Sequence, residues 1–163
     1  MRLISLIVIH CSGTKVNHRY SFEQCRHDHI RHNKWSDIGY HYYIEKDGTI
    51  HKGRDEAVKG AHVKDHNAHS IGVCYEGGLD QNGRACDTRT PEQLISMEHI
   101  IADLHSRYPR AIILGHRDLS PDLNGDGQIT PDEYLKQCPC FDATRYYHQY
   151  QPEGFWEGKP INK

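Results

Sequence analysis

Ala111-Ile-Ile-Leu-Gly-His-Arg-Asp118 is a short apolar run that ends in glycine and then presents an imidazole. Before it, Leu94, Met97, Ile101 and Leu104 recur at helical spacing and Pro109 stops the pattern. That helix is opened by Thr90 as N-cap, Pro91 at its first position and Gln93 at its third. The same pairing of helix and apolar strand recurs along the chain. Residues 3–9 read as a first strand and Ser70-Ile-Gly-Val-Cys-Tyr75 as another, both nearly unbroken in apolarity, as expected of strands covered on both faces. Ser21 N-caps a helix predicted from about 22 to 33. Tyr40-His-Tyr-Tyr-Ile44 and Thr49-Ile-His-Lys52 flank Asp47-Gly48, which predicts a hairpin with a two-residue turn. A final helix and surface tail are expected around Tyr146, Tyr147, Phe155 and Trp156. The alternation of strands and helices predicts an α/β fold in one domain.

Two of these strands deliver a histidine: Leu6-Ile-Val-Ile9 runs into His10, as Ala111–Leu114 runs toward His116. Lys136-Gln-Cys-Pro-Cys-Phe-Asp142 adds two thiols, Cys138 and Cys140, stiffened by Pro139. Neutral imidazole and thiolate suit zinc. His10, His116 and Cys138 are the expected ligands, with a fourth position open to water as in catalytic sites. Cys11 or Cys140 closing the shell would instead make the zinc structural. Taken singly, a histidine at a strand end is more often a hydrogen-bonded core residue than a ligand.

The chain has 163 residues, 20 basic against 22 acidic, and a formal charge of −2. It shows no basic excess for nucleic acid and no apolar stretch long enough to cross a membrane. A single monomeric domain spanning 1–163 is expected, with its core at about 3–147. Six cysteines without paired spacing, in a chain long enough to bury a core, predict free thiols rather than a disulfide scaffold. Met1–Ile9 is too short for a signal peptide, lacks a small-residue cleavage site and runs into His10. The chain is therefore expected to be made in the cytoplasm and to reach its site of action by lysis or a dedicated export device.

Seven segments in order resemble the zinc-dependent N-acetylmuramoyl-L-alanine amidases of the type 2 family, which includes amidase-type phage lysozymes and peptidoglycan recognition proteins. They are Ile7-Val-Ile-His-Cys-Ser-Gly-Thr14, Asp37-Ile-Gly-Tyr-His-Tyr-Tyr-Ile44, Asp47-Gly-Thr-Ile50 with Gly53-Arg54, Gly60-Ala-His62, Asn67-Ala-His-Ser-Ile-Gly-Val73, Gly115-His-Arg-Asp118 and Lys136–Asp142. The resemblance implies a central mixed sheet flanked by helices, zinc on His10, His116 and Cys138, and peptidoglycan or a muropeptide as substrate. It implies hydrolysis of the amide joining N-acetylmuramic acid to L-alanine. Tyr40 falls on the catalytic tyrosine, Lys136 on a lysine near the scissile carbonyl, and His62 on the wall of the cleft. Without the resemblance, Tyr40 reads as a packing aromatic and Lys136 as a solvated charge. Each ligating histidine should give its other ring nitrogen to a carbonyl or carboxylate, with Asp118 or Asp142 as candidates for His116.

Two other functions compete: a non-catalytic peptidoglycan-binding module, which typically lacks the cysteine ligand, and a protein with purely structural zinc. The chain departs from the phage-type pattern in an insertion at residues 120–133. There Asp122, Asn124, Asp126, Gly127, Gln128, Ile129 and Glu133 fit the twelve-position calcium loop of an EF-hand, without a clear pair of flanking helices. The alternative is a polar surface loop whose side chains cap their own turns.

Overall fold

The computed structural model describes residues 2–155. In chain order the elements are β1 (Leu6–Cys11), β2 (Thr14–Lys15), α1 (Phe22–Arg31), β3 (Tyr42–Ile44), β4 (Ile50–Lys52), β5 (Ser70–Tyr75), β6 (Gly78–Leu79), α2 (Pro91–Arg107), β7 (Ile112–Gly115) and α3 (Ala143–Tyr146). The main sheet has the order β4-β3-β5-β1-β7, and β2 pairs with β6 in a separate ribbon. The pairs β3–β5, β5–β1 and β1–β7 are parallel and β3–β4 is antiparallel, so the sheet is mixed.

Every residue of the central strands β1 and β5 is buried, which is why both read as unbroken apolar runs. Strand alternation divides their side chains between two faces. Ile7, Ile9, Ile71, Val73 and Ile113 pack with Met97, Ile101 and Leu104 of α2 and with Phe141, Ala143 and Tyr147. On the opposite face, Leu6, Val8 and Leu114 meet Val63, while Tyr43 and Cys74 meet Phe22 and Cys25 of α1. His10 has the parity of Leu6 and Val8 and so lies on this second face.

Helix starts follow the sequence. The Ser21 hydroxyl accepts from the Gln24 N–H, and Thr90 and Gln93 form a reciprocal capping box. Several boundaries differ. β1 runs to Cys11, which makes His10 a strand residue rather than the first residue of a loop. The hairpin loop encloses three residues: Glu45 N–H donates to Thr49 O, and Gly48 N–H donates to Glu45 O. Gly48 adopts φ 85°, the left-handed position such a three-residue loop requires. β3 begins at Tyr42, because the consecutive carbonyls of Tyr40 and His41 both accept from the β4 side, from Arg54 and Gly53. Two successive carbonyls turned one way break strand alternation, as in a bulge. The C-terminal helix is a single turn at Ala143–Tyr146, followed by a 3-10 turn at His148–Tyr150. Trp156 lies outside the described residues.

The insertion at 120–133 leaves and rejoins the fold through a narrow neck. Ser120 is buried and its hydroxyl accepts from the Leu135 N–H at 3.0 Å.

Candidate metal centre and active site

Three elements converge on the second face of the sheet. β1 supplies His10, the end of β7 supplies His116, and the segment after the insertion supplies Cys138. Their ligand atoms all lie within 4.8 Å of one another, and among the described residues this is the one such group of metal-ligating side chains. Cys138 is held in place by backbone bonds. Its carbonyl accepts from Arg117 N–H at 2.8 Å, and its sulfur accepts from Cys11 N–H at 3.3 Å. Gly115 lets this segment approach, because a Cβ there would stand 2.5 Å from Pro139 Cδ.

The two nitrogens of His10 have different neighbours. Nδ1 lies 3.8 Å from Cys138 Sγ, while Nε2 lies 2.9 Å from His62 Nδ1. The other nitrogen of His62 is 3.2 Å from Ser70 Oγ. A His10 that ligates through Nδ1 therefore donates its Nε2–H to His62, which in turn donates to Ser70. The expected carbonyl or carboxylate partner is here another histidine. Asp118 does not serve His116: its carboxylate accepts from Gly115 N–H at 2.7 Å and Thr144 Oγ1 at 3.0 Å. Asp142 caps α3 through Arg145 N–H.

Electrostatics favour ligation. Burial first, then the neighbouring His62, His116 and Lys136, push the pKa of His10 well below the usual imidazole value. Burial and Lys136 lower that of His116 to about 4. Both rings are thus neutral with a lone pair available at pH 7, as a metal requires. Two soft-to-borderline imidazoles and a thiol match the donor preference of zinc. Cys11 and Cys140 are not part of the group. Their sulfurs face each other at 3.8 Å.

Tyr40 packs its ring 5.2 Å from that of His10. Burial, followed by nearby thiols, raises the Tyr40 pKa well above 10, so the phenol is a neutral donor. Lys136 is exposed at the rim. It lines both a depression of about 380 Å³ over the cluster and an adjoining one of about 760 Å³, which share Trp35, Ala61, His62, His116 and Lys136. The walls include residues that sequence reading did not single out, His29 and Trp35, whose rings meet at a tilt of 57° with centroids 4.9 Å apart. No spacing pattern marks them, since they come from a helix and the turn after it. The neck of the insertion, with Ser120, Pro121 and Leu135, forms one side of the larger depression.

The insertion closes on itself. Glu133 Oε1 accepts from Leu123 and Asn124 N–H, and its Oε2 from Thr130 N–H and hydroxyl. Asp122 accepts from Gly125 and Gly127 N–H, Asn124 from Asp126 N–H, and Asp126 from Gln128 N–H.

An α/β sheet that gathers two histidines and a cysteine at the floor of an open groove is the frame of a hydrolytic enzyme built around a metal-ligating cluster. The chain belongs to the N-acetylmuramoyl-L-alanine amidase family, which it matches over residues 1–139, and it is an amidase enzyme. It is 36% identical over 142 residues to the endolysin of Enterobacteria phage K11, covering 87% of this chain and 84% of that one. It is 50% identical over 97 residues, 60% of this chain, to an uncharacterized Haemophilus influenzae protein of which it covers 84%. The N-acetylmuramoyl-L-alanine amidase LysC from Clostridium intestinale URNW superposes with a TM-score of 0.65 at 26% identity, over 90% of this chain and 82% of that one.

Proposed function

We propose that the protein hydrolyses the amide between N-acetylmuramic acid and L-alanine in peptidoglycan, in a zinc-dependent reaction. The observation that carries this reading is the convergence of His10, His116 and Cys138 under a groove walled by Tyr40 and Lys136. Zinc held by these three residues supplies Lewis-acid polarisation of a carbonyl and acidifies water to a pKa of about 7. The remaining work belongs to the chain. His62 fixes the tautomer of His10 through the 2.9 Å contact, with Ser70 holding His62 in turn. The neutral Tyr40 phenol donates to the carbonyl oxygen as negative charge develops there, and the Lys136 ammonium faces the same charge. Each is worth about 3 kcal/mol, the scale of one preorganised donor. The larger depression, lined by Trp35, Lys64, His66 and Asn67, receives the peptide side of the substrate.

The supporting experiment pairs metal analysis with muropeptide cleavage. One zinc per chain, with cleavage lost on chelation and restored by zinc, is the expected result. Tightly held zinc with no cleavage of wall or fragments would replace the reading with a binding module. The presence of Cys138 in the cluster, with Cys11 and Cys140 turned to each other, supports catalytic over structural zinc.

The proposal extends to a monomer acting on the cell wall, without nucleic-acid or membrane partners. No helix among the described residues is long and apolar enough to cross a membrane. The domain is assigned to 1–163 with a core of about 3–147, which the packing of Phe141, Ala143 and Tyr147 against α2 supports. For the insertion, the sequence pattern of Asp122, Asn124, Asp126, Gln128 and Glu133 supports calcium. Binding would require Glu133, whose oxygens each accept two hydrogen bonds, to give some of them up, whereas Asp122, Asn124 and Asp126 keep free lone pairs; calcium content in the same metal analysis tests it.

A further inference from the structure

The amidase reading leaves one pair of reactive groups unused. Cys11 ends β1, one residue beyond His10, and Cys140 lies two residues beyond Cys138. Their sulfurs are 3.8 Å apart. Both line the depression over the metal-ligating cluster, and Cys140 is the more exposed of the two. Gly78 of β6 makes room for them: a Cβ there would stand 2.5 Å from Cys11 Sγ and 3.6 Å from Cys140 Sγ. The third thiol of the neighbourhood, Cys138, is directed elsewhere, toward His10 Nδ1 at 3.8 Å and under the Cys11 N–H. Cys11 thus has two thiol neighbours, Cys140 facing its sulfur and Cys138, which perturbs it more strongly but is turned to His10.

We propose that Cys11 and Cys140 form a disulfide when the folded enzyme meets an oxidising compartment, leaving Cys138 free to ligate. The sulfurs must close from 3.8 Å to about 2.05 Å. With glutathione disulfide as oxidant, the Cys140 sulfur gives up its proton and attacks one sulfur of the reagent. The reagent's S–S bond breaks, and one glutathione departs carrying that proton. The Cys11 sulfur then attacks the Cys140 sulfur of the mixed disulfide, and the second glutathione leaves with the proton from Cys11. Two protein thiols are oxidised by two electrons, and one glutathione disulfide becomes two molecules of glutathione. The new bond joins the strand that carries His10 to the segment that carries Cys138, across 129 positions of sequence. The two halves of the cluster are then held together by a covalent tie as well as by packing.

The test incubates the zinc-loaded full chain with glutathione disulfide until its mass is constant, because buried thiols exchange slowly. Unreduced trypsin digestion follows. Cys11 lies on the peptide 3–15, while Cys138 and Cys140 share the peptide 137–145 with Pro139 between them, so fragmentation at that proline assigns the sulfur. In a Cys86→Ser background, which removes the exposed thiol that would otherwise hold glutathione, the expected outcome is a loss of about 2 Da from the two departed hydrogens, with no retained glutathione. It also includes a Cys11–Cys140 link and unchanged zinc content. Cys140→Ser should abolish the link and keep its zinc. A link through Cys138, loss of zinc on oxidation, or no Cys11–Cys140 link at the end point would overturn the proposal. It rests on the metal reading only for the sparing of Cys138. A chain that never binds zinc but still forms the Cys11–Cys140 link would refute the zinc and retain the disulfide.

Discussion

Gly72→Ala tests how His62 is seated. Gly72 lies in the buried strand β5, and a Cβ there would stand 2.6, 2.7 and 2.8 Å from Cγ, Cδ2 and Nδ1 of His62. Ordinary van der Waals contact begins at 3.4 Å, so the ring must retreat by about 0.8 Å, the difference between 3.4 and 2.6. His62 is only 9% exposed and is fixed between His10 at 2.9 Å and Ser70 at 3.2 Å. A shift of that size separates a 2.9 Å hydrogen bond from a non-bonded distance of about 3.7 Å. The overpacking should cost about 1–3 kcal/mol of stability. Loss of the partner that orients His10 should weaken zinc binding by roughly 10- to 100-fold. Competition with a chromophoric chelator reads the second effect, and urea unfolding of zinc-free protein reads the first. Combined with His62→Ala, the glycine substitution should add little to the zinc effect, because the clash has lost its object. Wild-type zinc affinity in Gly72→Ala, or additive losses in the pair, would refute this account of His62.

Tyr40→Phe should lower kcat by about 10²- to 10³-fold, the usual loss for one transition-state donor, with zinc content unchanged; an unaltered rate removes Tyr40 from the chemistry. Lys136→Met should also lower kcat, and it should move the pKa of His116 up from about 4, since Lys136 is the second cause of that depression after burial. NMR titration of zinc-free protein would show this, and an unmoved His116 would place Lys136 farther from the cluster. The same depression has a consequence for acid stability. Between 6.5 and about 4 the unfolded chain takes up the His116 proton before the folded one does. Stability is therefore intact above 6.5 and falls with pH through that window, by about 1.4 kcal/mol per pH unit for this group. Urea midpoints of zinc-free protein should show a flatter slope in His116→Asn, and equal slopes would contradict the assignment. Glu56→Ala should cost about 2–3 kcal/mol, because it strips the carboxylate that Arg107, Tyr108 and Tyr42 all share. Zinc affinity should be unchanged, which separates this network from the site.

What was legible in the sequence was what depends on local pattern. The unbroken apolarity of Leu6–Ile9 and Ser70–Tyr75 marks strands buried on both faces, and Ser21 and Thr90 mark helix starts because their hydroxyls satisfy free amides. His10, His116 and Cys138 were legible as histidines at two strand ends and a thiol beside Pro139, a reading that their order within family segments strengthened, and the structure brings them together. Contacts made by the tertiary fold were not legible. The His10–His62 bond links residues 52 positions apart, and neither spacing nor composition encodes it. The turn of the Tyr40 and His41 carbonyls toward one side is also invisible in an aromatic run that reads as regular strand. That break is nevertheless where Tyr40 sets its ring, tilted by 52°, beside His10.

The Ser120–Leu135 closure makes the insertion an interchangeable part. The span between His116 and Cys138 is set by that latch and by the Arg117–Cys138 backbone bond, not by the number of residues outside them. For a flexible loop, each doubling of length costs only about 0.6 kcal/mol. The segment between the latch residues is therefore free to be shortened, lengthened or replaced by a foreign cassette while the two ligands stay at the same separation. Of the residues inside the latch only Pro121 lines the groove, so grafts beyond it would leave the bank formed by Ser120 and Leu135 in place.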